Sequence, residues 1–377
     1  MSNINSKHIL NSEQLAIWRT YKNSHGLKYS YKQLPTWQQN EVNDGFFRID
    51  TGMMSLASQS QHYKTVEAGF DTFMICSSVT DTDSALPTPR DDCHAFVWNG
   101  KIWLIGGKEG ATPKTDVWSS PDGVNWTQTA SAGISGGIYG GGAHVLNDTI
   151  YVFGGIGTGP AFNNKAYSST DGINWTLLGD MTGVTNNYDF TSTVYQGKIW
   201  IVGGSNAVNT YKKVWTSTNG RVWTEVGTDA GPVNDPTYGK GTDLGQLLVY
   251  QDKLWYIGGR NENNDPLSTV YSSTDGITWT QHDSMPGTRS FFGAVVYNNR
   301  IWALGGYTGN GTVMKDTIYV SDTTGNKWKE VPLTYPQNRV GVEPVVFNNQ
   351  IYSLGGQIAG AVQLDNLTKI RSFLAEV

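Results

Sequence analysis

Lys101-Ile102-Trp103-Leu104-Ile105-Gly106-Gly107 decides the reading of this chain. A short apolar run closed by turn residues reads as a buried β-strand. The same pattern closes on Gly154-Gly155, Gly203-Gly204, Gly258-Gly259, Gly305-Gly306 and Gly355-Gly356. The first glycines are 48, 49, 55, 47 and 50 residues apart, so the chain is a repeat protein.

The surroundings of each glycine pair complete a four-stranded unit. Upstream, Val97, Val145, Val194, Val249, Val296 and Val346 each begin an apolar pair before a two-residue turn such as Asn99-Gly100. Such turns tolerate the positive φ of a tight hairpin. Downstream, a third strand is expected at 116–120, 165–169, 213–217, 269–273 and 317–321. A second turn follows, as at Asp122-Gly123, and a fourth strand opens near Trp126, Trp175, Trp223, Trp279 and Trp328. A Trp recurring at one strand position is expected to pack between units, where a large flat ring buries much area.

The glycine pair followed by a Trp about twenty residues later resembles the kelch repeat. The resemblance covers roughly Pro89 to Phe373, in six copies. It implies an all-β, six-bladed β-propeller, with blades packed radially around a channel. The stretch Ser119–Trp126 is similar to the Asp-box of sialidases, except that its Asp and Gly are adjacent. It reads as a turn motif.

The sixth copy lacks a fourth strand, because after Gly356 the chain makes one strand near 368–374 and stops. An unpaired outer position would leave an exposed edge. Counting back from Arg90 by the spacing of the other copies lands on Thr80 or Val79, and the segment Thr72–Val79 is expected to close the ring. The propeller is assigned to 69–377. Residues 1–68 form an arm, with a helix start at Asn11-Ser12-Glu13-Gln14 and aromatic residues further on.

Composition narrows the function classes. Only 16% of residues are charged, the net charge is −5, and no Lys/Arg stripe is present, so no nucleic acid is expected. No apolar run is long enough to cross a membrane, and the N-terminus has no apolar core of signal-peptide length. Synthesis in a cytoplasm follows, with a virion surface as the expected destination and the cytoplasm itself as the alternative. Cys76 and Cys93 are expected to be unbridged. The six His and two Cys show no zinc spacing, and no cofactor is expected. Asp81-Thr82-Asp83 and Asp91-Asp92 read as solvated turns.

The long connections all emerge on one face, which should carry the binding residues. Arg90, Arg289 and Arg339 occupy the entrance to the first strand in blades one, five and six, neighbours in a closed ring. Two roles fit them: an arc for a carboxylate or phosphate, or bracing between blades. Opposite lie Tyr188, Asp189 and Asp243. An insertion at 227–243 adds Tyr238, and loops after the glycine pairs add Lys108, Phe162, Arg260 and Tyr307. His94 and Glu343 stand near the channel on adjacent blades, where an acid/base pair could form.

Two functional readings stay open. One is a non-catalytic binding or structural propeller, such as a phage virion appendage or decoration. Its partners would be other virion proteins through the arm, an acidic glycan on the long-loop face, or a second copy of the chain. The other is a kelch-type sugar enzyme, because the arginine arc looks like what a sialic-acid mutarotase or epimerase uses to hold a carboxylate.

Overall fold

A computed structural model describes residues 73–82, 86–130, 133–158, 162–184, 187–206, 209–228, 241–309, 312–335 and 337–376. The expected helix of the arm and Tyr238 lie outside the described residues. The chain divides into two units, Ser77–Ser372 and a second made of Met1–Cys76 with Phe373–Val377. The first is the propeller, and no helix occurs among the described residues.

Six four-stranded antiparallel sheets follow the sequence repeat. The first runs His94–Trp98, Lys101–Ile105, Val117–Ser120 and Thr127–Ala130, from the inside outward. The sixth runs Glu343–Phe347, Gln350–Leu354, Leu367–Glu376 and then Phe73–Thr82. The segment expected to close the ring is thus its outermost strand, three residues longer at its C-terminal end.

Each core cluster joins two neighbouring blades. Ile102 and Leu104 of the first blade pack with Tyr352 and Leu354 of the sixth, and Trp126 lies against them. Trp223 packs with Phe153 and Ala166 of the preceding blade, and Trp328 with Trp255 and Val270. The recurring Trp is therefore inter-blade packing. Its turn is fixed by sequence: Ser120 Oγ accepts from Gly123 N at 2.7 Å, and Asp122 Oδ1 from Val124 N and Asn125 N at 2.8 and 2.7 Å. The Asp-box-like motif is thus a self-satisfied turn.

The glycine pairs tie neighbouring blades. The second glycine of each pair donates its N–H to a carbonyl of the next blade: Gly107 to Ile138, Gly155 to Asn187, Gly204 to Thr242, Gly259 to Arg289, Gly306 to Arg339 and Gly356 to Arg90. These bonds measure 2.8–3.2 Å and complete a closed circuit. At Gly107 the φ is 88°, and an added Cβ would lie 2.8 Å from both Asp91 O and Cys93 Cβ. Only glycine meets both demands. Cys93 is buried with a free thiol; the side chain of Cys76 lies outside the described ones.

Candidate functional site at the channel mouth

One residue per blade turns the backbone into the channel. Asp92, Gly140, Asp189, Leu244, Phe291 and Gly341 all adopt positive φ, between 51° and 62°. Main-chain bonds link this ring: Asp189 N to Gly140 O at 2.8 Å, Leu244 N to Asp189 O at 2.9 Å, Phe291 N to Leu244 O at 3.0 Å, Gly341 N to Phe291 O at 2.9 Å and Asp92 N to Gly341 O at 3.2 Å. At the sixth junction the Asp92 carboxylate accepts the Gly140 N–H. Four non-glycine residues hold a conformation that costs side-chain-bearing residues energy, and the closed ring of bonds sustains it.

The ring frames a cavity of about 150 Å³ lined by residues of all six blades. Asp92 and Asp189 stand on its wall with His94, His144, Gln246 and Glu343. His144 Nε2 lies 2.8 Å from Ser192 Oγ, whereas the buried Nε2 of His94 has no hydrogen-bond partner. Burial pushes Glu343 up to about 8. Burial, with His144 nearby, pulls His94 down to about 4. At neutral pH both are largely uncharged.

The rim combines aromatic rings and charges. The Lys108 ammonium sits 4.7 Å from the centre of the Tyr139 ring. Phe162 stacks on Tyr188 at 5.4 Å and 14°, and Phe291 on Tyr307 at 6.4 Å and 14°. Arg260 grips Asp243 through two bonds, 2.8 and 3.2 Å. Asp91 is fully buried, and neither carboxylate oxygen has a hydrogen-bond partner. Burial raises it to about 7 against the pull of Lys108. Burial also raises Asp92 and Asp189, the latter helped by Asp92 and Asp243. Among the described residues, no group of three His, Cys, Asp or Glu is arranged to hold a metal ion.

This geometry corrects the expected charge of the mouth. Arg90 is 0% exposed and faces inward within its blade. Its guanidinium bonds Asp116 twice at 3.0 Å, Gly106 O at 2.8 Å and Thr88 Oγ1 at 2.7 Å. Arg339, also 0% exposed, donates to Thr368 Oγ1 at 2.9 Å and lies over the Tyr335 ring. Arg289 is buried against the Tyr319 ring and bonds Thr288 O and Thr317 Oγ1. These arginines line no open arc; each grips its own blade, and its backbone carbonyl takes the glycine bond from the blade before. The residues that do meet at the mouth are Tyr188, Asp243 and Arg260, joined by Lys108, Asp91, Asp92 and Asp189. Asp91-Asp92 is therefore no solvated turn. His144 gave no signal in sequence, because it falls outside the positions that repeat.

The comparisons with known proteins agree with this architecture. The family described as DUF6242 beta propeller domain matches residues 19–225 and 185–315. Human Kelch-like protein 15 is 28% identical over 265 residues, 64% of this chain and 42% of that protein. The Kelch repeat protein M-T8 of Myxoma virus (strain Lausanne) is 24% identical over 234 residues, covering 58% of this chain and 42% of it. The chain thus spans well under half the length of these relatives. The solved structure of YjhT superposes with a TM-score of 0.62 at 16% identity, over 77% of this chain and 98% of that one. Six repeats, six sheets and a family match across most of the propeller lead to one assignment: this chain is a kelch-type six-bladed propeller and belongs to the DUF6242 β-propeller family.

Proposed function

We propose that the protein is a non-catalytic binding module that engages a partner protein with its channel mouth. Kelch-type propellers are typically protein-binding scaffolds, and the similarity to Kelch-like protein 15 supports this reading. The observation that carries the reading is the rim itself. Aromatic faces and charged groups converge there on a backbone ring closed by hydrogen bonds. A rigid ring presents such groups with little ordering cost on binding. Residues 1–68 serve in this reading as the anchor to an assembly such as a virion appendage.

A photo-crosslinking residue placed at Tyr188 tests the reading, with a second placed at Asn298 in a short turn of the fifth blade. In extract of the producing cells, a discrete partner is expected to crosslink from position 188 and not from 298. Crosslinks from 298 alone, or from neither, would overturn it. The oligomeric state with and without residues 1–68 tests the anchor.

One observation favours a second reading, a kelch-type sugar enzyme. His94 and Glu343, on adjacent blades, line the same cavity, one a neutral base and the other a neutral acid near pH 7. Such a pair suits proton transfer to and from a sugar ring oxygen. Anomer exchange of N-acetylneuraminic acid, followed by NMR, tests it. Exchange faster than in buffer and lost in Glu343→Gln would support an enzyme; exchange at the buffer rate would remove this reading.

A further inference from the structure

We propose that the channel mouth receives a basic side chain of its protein partner, a lysine ammonium or an arginine guanidinium inserted along the propeller axis. The inference rests on the mouth being the binding surface and specifies the partner's chemistry.

The charges at the mouth are uneven. Asp243 is matched by Arg260. Asp91, Asp92 and Asp189 all interact with Lys108, and Asp189 also with Arg260. The Lys108 ammonium lies over the Tyr139 ring, and no ion pair shorter than 4 Å joins it to a carboxylate among the described residues. Four acids against two cations leave room for a third.

Two further features point to a ligand. Asp91 is buried beside the cavity rather than on its wall, within electrostatic reach of Lys108 and Tyr307, and adds to the negative field there. The His94 Nε2 on the cavity wall is buried and unpartnered, and a neutral imidazole can accept a hydrogen bond there. Lys108 over Tyr139 shows that the rim accommodates a cation on an aromatic face, and the Tyr188 and Tyr307 stacks supply more faces.

Size selects a side chain over a free ligand. The cavity of about 150 Å³ is well below the roughly 300–1,000 Å³ of pockets that enclose whole small molecules. The raised titration of Asp91, Asp92 and Asp189 agrees: burial strips water from them, and Lys108 offsets this in part.

The experiment uses the full chain and four blocked amino acids as probes: N-acetyl methylamides of lysine, arginine, norleucine and glutamate. Binding is read by saturation-transfer NMR and calorimetry. The lysine and arginine probes are expected to bind, at least about tenfold tighter than norleucine or glutamate, as one charge-assisted hydrogen bond would give. Added salt should weaken them. Asp92→Asn with Asp189→Asn should weaken the lysine probe by at least about tenfold, with an unchanged melt, because Asn tolerates the left-handed backbone these positions adopt. Lys108→Met should tighten the lysine probe. Equal binding of lysine and norleucine, or an unaffected Asn double variant, would overturn the proposal. Preference for glutamate would overturn the charge assignment and leave the mouth as the binding surface. No binding of any probe, with no crosslink at position 188, would overturn both.

Discussion

The N–H of Gly356 donates to the carbonyl of Arg90 at 2.9 Å, so the last repeat is tied to the first by the bond that joins every other pair of neighbours. The ring has no weak seam in its inner circuit. Closure at the outside falls to the strand Phe73–Thr82.

The second glycine of a pair should resist any substitution. At Gly356 φ is 103°, and an added Cβ would lie 2.7 Å from Val342 Cγ1 and 2.9 Å from Val340 O. Gly356→Ala is expected to cost about 3 kcal/mol, from backbone strain and overpacking together. Gly100 has a φ of 69° and open space, so Gly100→Ala should cost about 1 kcal/mol. Denaturant melts of both variants check the contrast, and equal losses would contradict the packing argument.

Arg90 should matter to stability. It is fully buried and makes a two-bond pair with Asp116. Arg90→Gln leaves that carboxylate without its cation and is expected to cost about 3–5 kcal/mol. A double-mutant cycle with Asp116→Asn should show that much of the loss is shared. Additive losses would mean that the pair does not act as a unit.

Stability should fall as pH rises from 6.5 to 8. The native state holds protons on Asp91 up to about 7 and on Glu343 up to about 8, which the unfolded chain releases near 4. Their contribution is complete below the unfolded values and is lost as pH rises through the folded ones. His94 and His144, pulled down to about 4, act oppositely: their contribution is present above 6.5 and lost as pH falls toward 4. The two effects oppose each other below 6.5, and above it the acids act alone. Each proton changes stability by at most about 1.4 kcal/mol per pH unit. Melts across this range should slope downward, and Glu343→Gln should flatten the slope. An unchanged slope in that variant would remove Glu343 as a source.

Deleting residues 73–82 should destabilise the propeller, because it leaves the edge of Leu367–Glu376 unpaired. Deleting residues 1–45 should leave the melt unchanged. Similar losses in the two truncations would contradict closure by this strand.

The repeat was legible because its causes are local. A glycine pair marks backbone that other residues avoid, two-residue turns mark hairpins, and a spaced Trp marks a buried contact. Each signal recurs in register, so blade number, strand order and the closing strand followed from counting. The same counting puts Tyr188, Asp243 and Arg260 on the face of the long connections.

The character of the mouth was a different matter. Sequence set Arg90 at the entrance to its strand but not which way its guanidinium turned. Asp116, just before the third strand of the same blade, drew it inward. Asp91 and Asp92 lie in the first repeat and read as a solvated turn, while Asp189 lies in the third, on the side of the mouth opposite the arginines. They become one acidic cluster around Lys108 and Arg260 only when the ring closes and brings the blades together. Spacing along the chain determined the scaffold, because hydrogen bonds and φ act over a few residues. The site was decided by the closed ring, because charge and burial act through space between residues that lie in different repeats.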